Sequence, residues 1–264
     1  DTPRAGALWS NLIEICIATS KAGGSLNLRT LSDELRNRGF RLAGDRNFSL
    51  ARARLKEMAG MALANIGNTI AGLHLPRLDA IAAVDTALER HRLVEIRGGP
   101  GVGKSGVLRH LAERYLRLSH VIVLDPVGTP DGGWSAYAQS IGMSATATAF
   151  LSDLVAGGRG ILFIDSLEMF TEPGRQRTAN DLLREASRIE GFTVITTARS
   201  GFGKDGESWL ADDALAALGA GQTVSVGELQ DAEVEMLSDH APALRALLAP
   251  GPPAAPVARN INRL

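Results

Sequence analysis

The chain carries one cysteine in 264 residues, few aromatics (5%), and almost no net charge. A lone thiol excludes an intramolecular disulfide and a cysteine-built zinc site. Stability must therefore come from apolar burial, for which a hydrophobic content of 45% is ample. Cys16 lies in the run Leu12-Ile13-Glu14-Ile15-Cys16-Ile17 and reads as a buried thiol, not a ligand or nucleophile. A formal charge of −1 gives no global pull towards nucleic acid or an anionic membrane. No apolar stretch approaches the roughly 18–20 residues of a membrane-spanning helix, and no signal-peptide pattern is present, so the cytoplasm is the expected compartment. The chain opens on Asp1 rather than methionine, as an excised fragment would.

What is present is concentrated in eight residues, Gly98-Gly99-Pro100-Gly101-Val102-Gly103-Lys104-Ser105. They satisfy G-x-x-x-x-G-K-[ST], the phosphate-binding loop of nucleoside triphosphatases. Leu93 to Ile96 before them reads as a short buried strand. Gly106 to Leu118 after them reads as a helix with apolar positions at Val107, Leu108, Leu111, Tyr115 and Leu118. Strand, glycine loop and helix together aim backbone N–H groups and a helix N-terminus at an anion. Glycines at 98, 101 and 103 permit backbone geometries that a Cβ would block. Lys104 is placed to neutralise the β- and γ-phosphates, and the Ser105 hydroxyl to hold magnesium. Residues Gly98 to Gly106 are thus the expected nucleotide-binding segment.

Three regions differ in texture. Residues 1–65 look helical, with loop signals at Gly23-Gly24-Ser25 and from Gly39 to Asp45. Leu28 to Phe40 resembles the second helix of a small helix-turn-helix unit. From Arg29 to Lys56 there are eight basic and three acidic residues, a surplus that suits either a phosphate backbone or a solvated helix face. Residues 66–228 form the expected core. They begin with Gly72-Leu73-His74-Leu75-Pro76-Arg77 and an amphipathic helix from Leu78 to Arg90 with Ile81, Val84 and Leu88 on one face. Strand and helix then alternate, as in a parallel sheet covered on both sides. Strands are expected at Leu93–Ile96, Val121–Leu124, Ile161–Ile164, Thr193–Thr197 and Thr223–Val226, with helices near 104–118, 134–141, 147–156 and 178–189. The class is therefore α/β, a three-layer αβα P-loop NTPase with a mainly parallel five-stranded sheet. Residues 229–264 read as a helical extension interrupted by the proline-rich stretch Ala249 to Pro256.

A phosphate loop needs a second oxygen donor for its metal. Ile161-Leu162-Phe163-Ile164-Asp165, about sixty residues further on, supplies it at the end of a buried strand, where ligands bind in open parallel sheets. Asp165 suits magnesium-bound water. Glu168 either orients the attacking water or is an exposed acid favoured by a helix dipole. In Val194-Ile195-Thr196-Thr197-Ala198-Arg199, Thr197 faces the expected γ-phosphate. Arg199 either neutralises charge on that group, or caps the sheet edge or pairs with an exposed acid. Gly201-Phe202-Gly203-Lys204-Asp205-Gly206 lacks the context of a phosphate loop and reads as surface.

Taken together, Gly98 to Ser105, Ile161 to Glu168 and Thr196 to Arg199 resemble the nucleotide-binding module of STAND ATPases, the AAA+-related group that includes the NACHT and NB-ARC families. AAA+ motors usually place glutamate directly after the aspartate, where this chain has Ser166. The resemblance covers roughly residues 66–264, and Gly72 to Arg77 is similar to the segment that packs near adenine. Val257 to Leu264 looks like the start of the following helical segment, although Asn260-Ile261 stands where members carry a nucleotide contact. The resemblance implies a bacterial ATP/ADP switch, magnesium-dependent and slow, that self-associates in its ATP state and activates an effector in signalling or phage defence. Lys104, Asp165, Glu168 and Arg199 would be its catalytic residues, and Ser105 and Asp165 its metal ligands. The rival readings are an AAA+ loader or remodelling ATPase acting on DNA, and an ATP-gated DNA-binding module using the basic N-terminal helices. The absent acid after Asp165 counts against the first rival. No Asn-Lys-x-Asp guanine motif occurs, which points to adenine.

Overall fold

The computed structural model describes residues 2–40, 48–67, 69–70, 72–156, 158–203 and 208–244. In chain order these form α1 (Thr2–Lys21), α2 (Leu28–Asn37), α3 (Ser49–Ala64), the short strands β1 (Thr69–Ile70) and β2 (Leu73–His74), and α4 (Leu78–Leu88). There follow β3 (Leu93–Gly98), α5 (Lys104–Tyr115), β4 (His120–Leu124), α6 (Trp134–Ser140), α7 (Ala147–Ala156) and β5 (Gly160–Ile164). The series closes with α8 (Pro173–Arg188), β6 (Phe192–Arg199), α9 (Asp212–Leu218), β7 (Gln222–Val226) and α10 (Asp231–His240).

Successive side chains of a strand point to opposite faces, so a sheet covered on both sides needs apolar residues at odd and even positions alike. The strands meet that demand. Val94, Ile96, Val121, Val123, Ile161, Phe163, Ile195 and Val224 face one cluster with α4 and α5. Leu93, Ile122, Leu124, Leu162, Ile164 and Val194 face another with α6 to α9. The sheet runs in the order β4-β5-β6-β3-β7, and every neighbouring pair is parallel. The carboxyl ends of the five strands therefore lie along one edge. Each expected strand is found, extended by one to three residues.

Helix α3 closes the β4 side of the sheet. Its Ala51 and Leu55 join one cluster, while Ala59, Ala62 and Leu63 join the other, so one helix covers an edge that would otherwise offer unpaired backbone groups.

Several expectations are corrected. Cys16 is exposed because α1 buries only a narrow stripe. Ile15 is 3% exposed, whereas Ile13 and Ile17 are 45% and 49% exposed, so the apolar run around the thiol wraps the helix. The helix after the phosphate loop stops at Tyr115, which leaves Leu118 on the surface. The helix expected near 178 begins at Pro173, whose missing N–H is harmless in a first turn. Lys204 to Gly206 and the whole segment 245–264, including Asn260 and the proline-rich stretch, lie outside the described residues.

Gly98 shows why the loop's first position admits no side chain. A Cβ there would collide with the Val226 carbonyl oxygen and sit 2.8 Å from Val102 Cγ2. Its constraint is close approach to β7; Gly101 (φ 70°) and Gly103 (φ 95°) are the positions that need left-handed backbone. Gly98→Ala should destabilise the fold by about 1–3 kcal/mol, the usual penalty of overpacking, read as a lowered urea midpoint at unchanged m-value.

Candidate functional site

The loop between β3 and α5 folds as the sequence requires, with Gly103 in a left-handed conformation immediately before the helix. The first turn of α5 thereby presents free N–H groups and the positive end of its dipole to the space above the sheet. Pro100, Gly101, Gly103, Lys104, Ser105 and Gly106 line a cleft of about 340 Å³ there, together with Ser166, Glu168 and Arg199. Gly98 and Gly99 set the path of the loop, and Val102 turns its side chain inward, 5% exposed.

Lys104 is 8% exposed, and its Nζ donates to the Gly99 carbonyl at 2.8 Å. Burial pushes its ammonium pKa below the ordinary lysine value, Glu168 and Asp165 oppose that, and Arg199 adds to it. A cation short of solvent and short of counter-charge is a fit for phosphate oxygens.

Asp165 follows β5 and is 5% exposed. Burial raises its carboxyl pKa, and hydroxyl hydrogen bonds from Thr197, Ser105 and Ser166 act against the rise. Thr197 Oγ1 donates to Asp165 Oδ1 at 2.7 Å while accepting the Ser166 N–H at 2.7 Å. Ser166 Oγ donates to Asp165 Oδ2 at 3.0 Å and lies 3.5 Å from Ser105 Oγ. Thr197 is fully buried, so it reaches the cleft through Asp165 instead of facing it. The hard oxygen donors Ser105 and Asp165 suit magnesium, which binds through one or two protein oxygens plus substrate phosphates. Among the described residues no group of three or more His, Cys, Asp or Glu forms an all-protein cage.

Glu168 and Arg199 meet each other. Arg199 Nε lies 3.2 Å from Glu168 Oε1, and the Arg199 backbone N–H donates to Glu168 Oε2 at 3.2 Å. Both line the phosphate cleft. Of the alternatives read from the sequence for Arg199, the pairing with an acid is the one the structure contains.

Two features escaped the sequence. Ser166 has φ 53°, the one left-handed non-glycine backbone among the described residues, a conformation that costs on the order of 1–2 kcal/mol and clusters at functional sites. Its only sequence signal was the departure from glutamate. Arg77, 7% exposed, stood in the sequence only as the end of the segment similar to the one near adenine, with no sign of its own role. Its Nη1 donates to the Val102 carbonyl in the loop. Its Nη2 reaches the Gly227 and Glu228 carbonyls after β7, at 3.0 and 2.8 Å. Its Nε pairs with Glu233 Oε1 of α10 at 2.8 Å, at an angle that serves charge but not a hydrogen bond. Beside it lies a second cavity of about 260 Å³, lined by Leu75, Pro76, Leu78, Val226 and Met236 among others. The segment expected near adenine therefore borders an apolar pocket.

The basic N-terminal stretch is partly neutralised internally. Asp33 takes Arg36 and Arg29, Glu14 takes Arg38, and Asp153 takes Arg52. Arg41 and Arg46 lie outside the described residues.

No protein-family model and no curated protein matches the chain. Among solved structures it is similar to the Aeropyrum pernix Orc1 protein in complex with DNA, at 19% identity and TM-score 0.44, over 76% of this chain and 62% of that one. It is similar to the Walker-type ATPase of Pyrococcus abyssi at 16% identity and TM-score 0.44, over 72% and 64% of the two chains. Thermotoga maritima RuvB follows at 19% identity and TM-score 0.36, over 66% and 52%. The chain spans less than two thirds of the length of each, and the likeness concerns fold alone. The sheet, its covering helices and the glycine loop are those of a P-loop nucleoside triphosphatase. Among the described residues no helix is long and apolar enough to cross a membrane.

Proposed function

We propose that the chain is a magnesium-dependent ATPase module of AAA+-related type that works in association with DNA. The observation that carries the ATPase reading is the meeting of Lys104, Ser105, Asp165, Glu168 and Arg199 around one cleft at the carboxyl edge of the sheet. Lys104 and the loop N–H groups bind the polyphosphate, and Ser105 and Asp165 hold the metal. When bound, magnesium neutralises charge on the β- and γ-phosphate oxygens. Glu168 is the carboxylate within reach of an attacking water, once Arg199 releases it to meet the γ-phosphate. The apolar pocket beside Arg77 suits a purine base, with adenine favoured by the missing guanine motif.

The objection to a DNA-acting ATPase was the serine after Asp165. That objection loses its force because Glu168, one short turn later, lines the same cleft and supplies a second carboxylate. A STAND-type switch is the second reading. The observation in its favour is the Glu168–Arg199 pair, which keeps the acid occupied and suits slow turnover.

One experiment separates them: analysis of co-purifying nucleotide together with phosphate release, with and without single- and double-stranded DNA. Stimulation by DNA of about tenfold, equal to some 1.4 kcal/mol of barrier, is the expected result. Tightly held ADP with turnover indifferent to DNA would replace this reading by the switch.

A further inference from the structure

At the opposite edge of the sheet, where the strands begin, lies a cleft of about 260 Å³ lined by Arg29, Arg117, Arg159, His120 and Ser119 over a floor that includes Leu154. His120 opens β4 and Arg159 immediately precedes β5, so this cleft and the phosphate loop lie at opposite strand ends. Three arginines line it and no carboxylate does.

The neighbouring acids are largely spent elsewhere. Asp33 lies 3.8 Å from Arg29 Nε but 2.5 Å from Arg36 Nη1, and Asp153 is taken by Arg52 at 2.6 Å. Among the described residues, Arg117 and Arg159 have no carboxylate partner. The strain of this arrangement is visible in its members. Burial and then Arg52 push the Arg29 pKa down. Burial followed by the charges of Arg29 and Arg52 pushes the His120 imidazole down to about 4, so it is neutral at pH 7 and retains one N–H donor. Like charges gathered with too little counter-charge are an unfavourable arrangement. A dianion with several acceptor oxygens reverses it, and guanidinium forks match phosphate geometry closely.

We propose that this basal cleft is a second anion site, which takes a phosphate group borne by another molecule and is separate from the nucleotide cleft. Arg117 and Arg159, both at the exposed rim, grip the outer oxygens, while Arg29, His120 and Ser119 meet the inner ones. The group belongs either to a small phosphorylated compound or to a nucleic-acid backbone. The site stands on its own residues and does not depend on what the upper cleft hydrolyses.

The test uses the full chain saturated with ADP and magnesium, so that the phosphate loop is filled. Inorganic phosphate is titrated while the His120 imidazole is followed by NMR. A labelled duplex is titrated separately by anisotropy. Phosphate should raise the His120 pKa by at least one unit, because an anion offsets a cationic field. The double variant Arg117→Ala/Arg159→Ala removes exposed side chains that hold no carboxylate, so it should fold normally and bind phosphate about tenfold more weakly or worse, as expected when a charge-assisted hydrogen bond to the anion is removed. Phosphate binding without duplex binding identifies a small ligand. Duplex binding that phosphate competes away, and that the double variant loses, identifies a backbone. An imidazole that ignores phosphate, with the double variant equal to the parent in both titrations, overturns the proposal. Failure of ADP to bind would instead count against the upper site, and that arm is read on its own.

Discussion

Lys104→Ala should weaken ATP binding about 10- to 100-fold, because a hydrogen bond from a charged donor contributes roughly 1.5–3 kcal/mol and tenfold in affinity is about 1.4. The effect should be confined to binding. The lysine's hydrogen bond goes to the Gly99 carbonyl within its own loop, and its ammonium is disfavoured by burial in the free protein. The variant should therefore melt no lower than the parent. Calorimetric titration with ATP and magnesium checks the first part, and thermal denaturation without nucleotide checks the second. Affinity within about threefold of the parent, less than 0.7 kcal/mol, would mean that the loop does not grip a polyphosphate.

Asp165→Asn should lower turnover by about 10²–10³-fold, the range typical of removing one electrostatic partner from a transition state, while affinity for ATP without metal changes little. The amide is nearly isosteric and can still accept from Thr197. Its effect on stability has a definite sign. Burial holds the Asp165 carboxyl above its ordinary pKa despite three hydroxyl donors. The charged form is thus penalised in the folded state, and the penalty is present above the unfolded pKa and disappears below it. The asparagine variant should match or exceed the parent's Tm at pH 7, and any advantage should vanish in acid. Full turnover with this variant would remove Asp165 from the metal's coordination.

The sheet was legible in the sequence because its strands are short apolar runs buried on both faces, and few other structures suit such runs. The loop was legible because glycine spacing, lysine and serine encode a ligand's shape directly. The helix ends were less so. Leu118 continues the apolar period of α5 but falls beyond its last turn, and periodicity alone cannot say where hydrogen bonding stops. Cys16 failed for a related reason, since an apolar run in a helix points all round while only one stripe packs. The partnership of Glu168 with Arg199 joins residues of two strands' ends and becomes visible only once β5 and β6 are placed side by side. The bridging role of Arg77 was illegible for the same reason: three of its partners are carbonyls, which every residue has, and the fourth is the distant Glu233.

That arginine has a mechanical consequence. One guanidinium fastens the carbonyl of residue 102 to carbonyls 227 and 228, and its Nε lies against α10. The glycine loop and the first residues after β7 therefore share one anchor that bypasses the sheet, so Arg77→Ala should loosen both together.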